Sequence, residues 1–154
     1  MDHKKIPKDL GIANALKNTE SVINTIHESL IILYEDFQVA LANQFFYETF
    51  KVKPQETVGQ FFYDLGNRQW SIPKLRQLLE EILPKTTSFD NFEIEHDFPH
   101  IGKRFMLLNA RRIYLLANHT KLILITIKDI TERKKIEELQ ERAKKLELRL
   151  KVNF

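Results

Sequence analysis

The stretch Asp129-Ile130-Thr131-Glu132-Arg133-Lys134-Lys135 decides how the chain is read. It closes an apolar run, Leu122-Ile123-Leu124-Ile125-Thr126-Ile127, and opens a charged segment. A continuous apolar run of this length reads as a strand buried on both faces. The charged segment reads as a long helix. The chain therefore passes from sheet to helix within three residues, through an Asp and a Thr that suit such a turn.

Upstream of the junction, Lys103 to Leu115 and Lys121 to Ile130 read as two strands joined by Asn118-His119-Thr120. Phe89 to Phe98 alternates, with Phe92, Ile94, His96 and Phe98 on one face and Glu93, Glu95 and Asp97 on the other, as in a half-buried strand. Before it, Ile72, Leu75, Leu79, Ile82 and Leu83 share one face of a helix that Pro84 closes. Val58 to Leu65 reads as a shorter helix ended by Gly66, and Lys53-Pro54 starts another. Phe45, Phe46, Tyr47 and Phe50 make a short aromatic helix with Asn43 at its N-cap position. Ser29 to Tyr34 and Gln38 to Ala42 form a hairpin around Glu35-Asp36-Phe37. Residues 7–28 read as one or two helices, with Leu10, Ala13, Leu16, Ile23 and Ile26 near helical spacing.

Five strands with helices inserted after the second predict an antiparallel α+β sheet. This order resembles that of the PAS domain family over about residues 18–135. Three pieces carry the resemblance: Ala42-Asn43-Gln44-Phe45-Phe46, Gly102-Lys103-Arg104-Phe105, and above all Asp129-Ile130-Thr131-Glu132-Arg133. The resemblance implies an N-terminal helical cap over 1–28, a PAS core over 29–131 and a C-terminal signalling helix over 132–154. It implies a sensory module that passes a signal through its terminal helix to an output such as a histidine kinase, and the absence of Cys adds the expectation of a cytoplasmic location. It also implies that Asp129 and Thr131 couple core to helix. In similar domains the Asp pairs with a basic residue, for which Lys103 and Arg104 are the candidates.

Composition narrows the chemistry. Residues 131–154 hold 8 of the 24 basic and 5 of the 21 acidic residues, so the net charge of +3 lies entirely in this segment. A neutral core is poor support for phosphate recognition. The absence of Cys fits a reducing compartment and excludes thiolate chemistry. No apolar run approaches the roughly 20 residues of a bilayer span, and Met1-Asp2-His3-Lys4-Lys5 leads into no signal-peptide core. The four glycines are isolated, which argues against a phosphate-cradling loop.

Among the five histidines, His96 and His100 stand ~13 Å apart if the strand continues, too far to share one ion. Haem-binding PAS domains often take a His from the long core helix, and Ile72 to Leu83 has none. Light-sensing flavin relatives form their adduct on a Cys. Haem and photoactive flavin are disfavoured, whereas noncovalent flavin stays open.

Ligands of similar domains lie between the sheet and the helices. The pocket candidates are His96, Asn109, Trp70 and Phe105. The competing reading is that backbone groups satisfy His96 and Asn109 and that Trp70 is core packing. For Arg111-Arg112, a salt bridge to Glu93 or Glu95 is expected.

The terminal segment repeats apolar residues at Ile136, Leu139, Ala143, Leu146 and Leu150, in steps of three and four. These form a heptad seam that predicts a homodimer, with Arg142 and Glu147 at flanking positions. The competing reading is one amphipathic helix folded back on its own domain. Two rival functions remain: a nucleic-acid-binding regulator using the basic tail, and a small α+β enzyme with an internal cavity and His96 as acid or base. Glu137, Glu138, Glu141 and Glu147 interrupt the basic tail and weigh against the first.

Overall fold

The computed structural model describes residues 23–115 and 120–152. Five antiparallel strands, β1 (Ser29–Tyr34), β2 (Val39–Ala42), β3 (Ser88–Phe98), β4 (Gly102–Leu115) and β5 (Thr120–Asp129), lie in the order β2-β1-β5-β4-β3. Between β2 and β3 come α1 (Gln44–Phe50), α2 (Leu65–Arg68) and α3 (Pro73–Gln77), with short 3₁₀ turns among them. A long helix, α4 (Thr131–Val152), follows β5. The five-stranded α+β architecture expected from the sequence is the one observed. The expected helix over 7–28 falls mostly outside the described residues.

The central strands explain their own composition. All six residues of β1 are buried, and β1 runs between β2 and β5 with Ser29 opposite Ile127 and Tyr34 opposite Leu122. Inward-facing Ile31, Leu33, Met106, Leu108, Ala110, Ile123, Ile125 and Ile127 join the main core. Leu30, Ile32, Tyr34 and Leu122 form a second cluster on the other face, with Ile23, Ile113 and Leu124 against it. Strand residues alternate faces, so a run without polar breaks fills both clusters at once.

Asn43 ties the hairpin to the helices. Its Oδ1 accepts from Leu30 N (3.0 Å) and Phe46 N (2.9 Å), while its Nδ2 donates to the carbonyls of Glu28 (2.9 Å) and Ile23 (3.3 Å). Every hydrogen-bonding direction of the buried amide is used, which is what burial of such a group requires.

The structure corrects three local expectations. Residues 58–65 do not form one helix. Gly59 N donates to Val39 O, Val39 N to Gln60 O, and Phe62 N to Phe37 O. The free edge of β2 captures this backbone, which outweighs helix propensity. Gly66 does not end a helix either; α2 continues to Arg68, whose φ of 62° marks the left-handed backbone there. Finally, the core helix is not a single α-helix. After α3 the chain widens into a π-type turn over Leu78–Ile82, with Leu83 N bonded to Leu78 O. A wider turn keeps residues four apart on one face. Leu75, Leu79 and Leu83 are therefore buried, while Ile82 turns outward at 39% exposure.

A bulge in β3 places Phe89 and Phe92 opposite Ala110 and Leu108 respectively. Three steps on β3 match two on β4, and Asn91 takes up the extra residue with φ 59°. Both phenylalanines thereby pack against the core.

Candidate functional site

Two places concentrate polar and aromatic groups: the junction of β5 with α4, and the interior around Trp70. At the junction Asp129 ends β5 opposite Met106. Its Oδ1 accepts from Thr131 N (2.9 Å) and from the Thr131 hydroxyl (2.6 Å). Its Oδ2 pairs with Arg104 Nη1 at 3.1 Å. Arg104 is held in turn by its Nε, which donates to Ile101 O at 3.0 Å. Of the two basic candidates, Arg104 is the partner of Asp129, whereas Lys103 faces Glu95 at 3.5 Å.

Thr131 does more than start the helix. Its hydroxyl donates to Asp129 and accepts from Phe105 N at 2.9 Å, so it is turned toward β4. Ile130 N donates to Phe105 O at 2.9 Å. Two residues of the connection thus continue the sheet while α4 begins, with Lys134 N bonded to Ile130 O. Ile130 and Thr131 are 2% and 6% exposed, so these bonds are shielded from competing water. A further tie comes one helical turn on, where Lys134 Nζ meets Glu93 Oε1 at 2.6 Å. The hydrogen bond to Glu93 holds the Lys134 ammonium pKa above its ordinary value, despite a smaller opposing desolvation. This corrects the salt bridges expected for Arg111-Arg112: Glu93 goes to Lys134, Glu95 to Lys103, and Arg112 Nη1 donates to Pro84 O at 3.2 Å.

Beyond this turn α4 leaves the domain. Ile136, Leu139, Leu146 and Leu150 are 53–63% exposed, and Ala143 is exposed as well. The fold-back alternative for this helix is not what the structure shows.

In the interior, Trp70 is fully buried and touches four rings: Phe50 (4.9 Å), Phe98 (5.2 Å), Phe62 (5.4 Å) and Phe46 (6.4 Å). Phe98 also carries His96, edge to face at 5.0 Å. His96 is only half-buried and lies opposite Arg104. Trp70 and His96 thus flank one ring. Phe105 and Asn109 alternate with the buried Met106, Leu108 and Ala110, which places them on the other face of the sheet. Asn109 completes the β3 bulge: its Oδ1 accepts from Asn91 N at 2.8 Å, and its Nδ2 donates to Thr126 Oγ1 at 3.4 Å. The four pocket candidates are not brought together.

Sequence reasoning missed Gln69. It is 3% exposed, and neither its Nε2 nor Trp70 Nε1 donates a hydrogen bond among the described residues. Each unsatisfied buried donor costs about 1–3 kcal/mol. No periodic pattern singles out Gln69, because α2 is too short to have one. Nearby, burial and then the Glu80 carboxylate push the Tyr63 hydroxyl pKa well above its ordinary value. Arg76 stacks over the same ring at 4.4 Å.

A family model described as the PAS fold matches residues 23–135. The chain belongs to the PAS family. A search of curated proteins found no match to this PAS domain. Solved structures similar to it include the PAS domain of BvgS from Bordetella pertussis, at 18% identity and TM-score 0.57, covering 86% of this chain and 98% of that one. A sensory box sensor histidine kinase from Vibrio cholerae aligns at 15% identity and TM-score 0.54, covering 79% and 95%. An RNA-binding light-oxygen-voltage receptor aligns at 14% identity and TM-score 0.65, over 97% of this chain but 41% of that one. At these identities the likeness is one of fold. No helix among the described residues is long and apolar enough to cross a membrane.

Proposed function

We propose that this PAS domain is a non-catalytic, cytoplasmic sensory and dimerisation module that passes a signal along α4 to an output domain or partner. The observation that carries this reading is the junction. One carboxylate, Asp129, binds the first residue of α4 and also a side chain of β4, so the angle of the helix depends on the sheet. A ligand that shifted β4 would move Phe105 and Arg104, and with them the start of α4. The exposed seam from Ile136 to Leu150 supplies the surface on which two copies pair.

Sensing belongs to the interior. Gln69 and Trp70 both present donors, so the ligand class that satisfies them carries hydrogen-bond acceptors. Haem and photoactive flavin remain disfavoured on sequence grounds, and an absorbance spectrum of the purified protein checks both.

The decisive experiment joins the domain to a histidine-kinase output. Asp129→Ala and Thr131→Ala should leave the sheet folded and uncouple kinase activity from the signal. If both variants switch like the parent, α4 is a linker and the coupling reading fails. Sedimentation tests pairing separately: Leu139→Glu combined with Leu146→Glu should give monomers, and an unchanged sedimentation coefficient refutes the seam.

A further inference from the structure

At one end of the sheet the inner face changes character. Along β4 the buried Ala110 is followed two residues later by Arg112; along β5 the buried Ile123 is preceded by Lys121; beyond β1 Leu33 gives way to Glu35. Alternation keeps the β4 pair and the β5 pair each on one face, and the turn after β1 brings Glu35 to the same cleft. Arg112 lies directly opposite Ile123 in the β4–β5 register. The end of the core helix passes over this corner without filling it, and a cleft of about 110 Å³ remains. Its apolar wall comes from Leu79, Leu83, Ile123 and the half-buried Phe37. Its rim carries Arg112, Lys121 and Glu35.

Arg112 is held in place. Its backbone N donates to Thr87 O (2.9 Å) and its Nη1 to Pro84 O (3.2 Å). A guanidinium has five N–H donors in a rigid fork, so one side-chain bond tethers the group and leaves donors for a second partner. Lys121 adds a compact, exposed ammonium. Two cations against one carboxylate leave the rim with an excess positive charge above an apolar wall.

We infer that this cleft binds a small aliphatic monocarboxylate, its carboxylate between Arg112 and Lys121 and its short chain against Leu79, Leu83 and Ile123. A cleft of about 110 Å³ has room to seat the short chain of such an acid against its apolar wall. This inference goes beyond the signalling reading and does not depend on it, because occupancy is read without dimer or output domain.

The test titrates the ¹⁵N-labelled full chain with sodium butyrate, n-butylamine and 1-butanol at constant ionic strength. Butyrate should shift the amides of Leu83, Arg112, Lys121 and Ile123 saturably, and the other two should not. Arg112→Gln with Lys121→Gln should weaken butyrate by about tenfold or more, the scale of a lost charge-assisted pair. Glu35→Gln should tighten it. Lys121→Glu alters an exposed side chain, so it keeps the fold if Arg112 variants do not, and it should abolish the preference for the anion. Equal responses to all three probes, no saturable shift with butyrate, or unchanged affinity in Lys121→Glu would each overturn the assignment.

Discussion

The interior around Trp70 and the outward stretch of α4 are both rich in large apolar side chains, yet they end in opposite states. Trp70 is fully buried among four aromatic rings, whereas Leu139 and Leu146 stand 63% and 58% exposed. The interior is completed by one chain, since α1, α2, the core helix and the sheet all supply side chains to it. The seam of α4 is not, because the helix touches the sheet only in its first turns. An apolar pattern therefore reports that a surface needs cover, and not where the cover comes from.

The largest effect should come from emptying the interior. Trp70→Ala removes the ring on which four others pack and should cost about 3–5 kcal/mol in urea denaturation. A loss below about 2 kcal/mol would mean that the neighbouring rings collapse into the space, and the interior would be less fully specified than it looks.

Asn43→Ala should cost about 2 kcal/mol, combining a lost cap with a buried Leu30 amide left without its partner. Because the Asn43 side chain bonds Ile23, Glu28, Leu30 and Phe46 and none of these lies in α4, sedimentation of this variant should not change.

Thr131→Val keeps the side-chain shape and removes the hydroxyl shared by Asp129 and Phe105. We expect about 1–2 kcal/mol and faster hydrogen exchange at the Phe105 amide than elsewhere in β4. Exchange accelerated evenly across the sheet would show that the junction is part of the core and not a joint between two regions.

The smallest effect belongs to Leu148→Ser. Leu148 is 60% exposed and lies off the heptad seam. Stability in dilute solution should change by no more than about 0.5 kcal/mol, and sedimentation should be unaltered. A change in sedimentation would place the pairing surface on a different face of α4 from Leu139 and Leu146.

Much of the fold was legible because its determinants are local. The uninterrupted apolar runs of β1 and β5, the alternation of β3, the cap at Asn43 and the Asp-Ile-Thr step are contained within a few residues each. Strand count, strand order along the chain and the position of the junction follow from them. The choice of Arg104 over Lys103 did not, since it depends on which side chain the turn at Ile101 directs toward the end of β5. Nor did the placement of Asn109, which a bulge 18 residues upstream in β3 recruits as its partner.

Sequence by itself therefore determined what each segment seeks: burial on two faces for β1 and β5, on one for β3, and a helix with an apolar seam after Thr131. Tertiary structure decided which groups meet. It turned Ile82 out and Leu83 in by widening one helical turn, laid residues 59–62 along the edge of β2, and buried the Gln69 and Trp70 donors side by side in the chain. The reason is physical. Periodicity records the solvent preference of single side chains, whereas partners across a sheet or under a helix are fixed by the register and packing of segments distant in sequence.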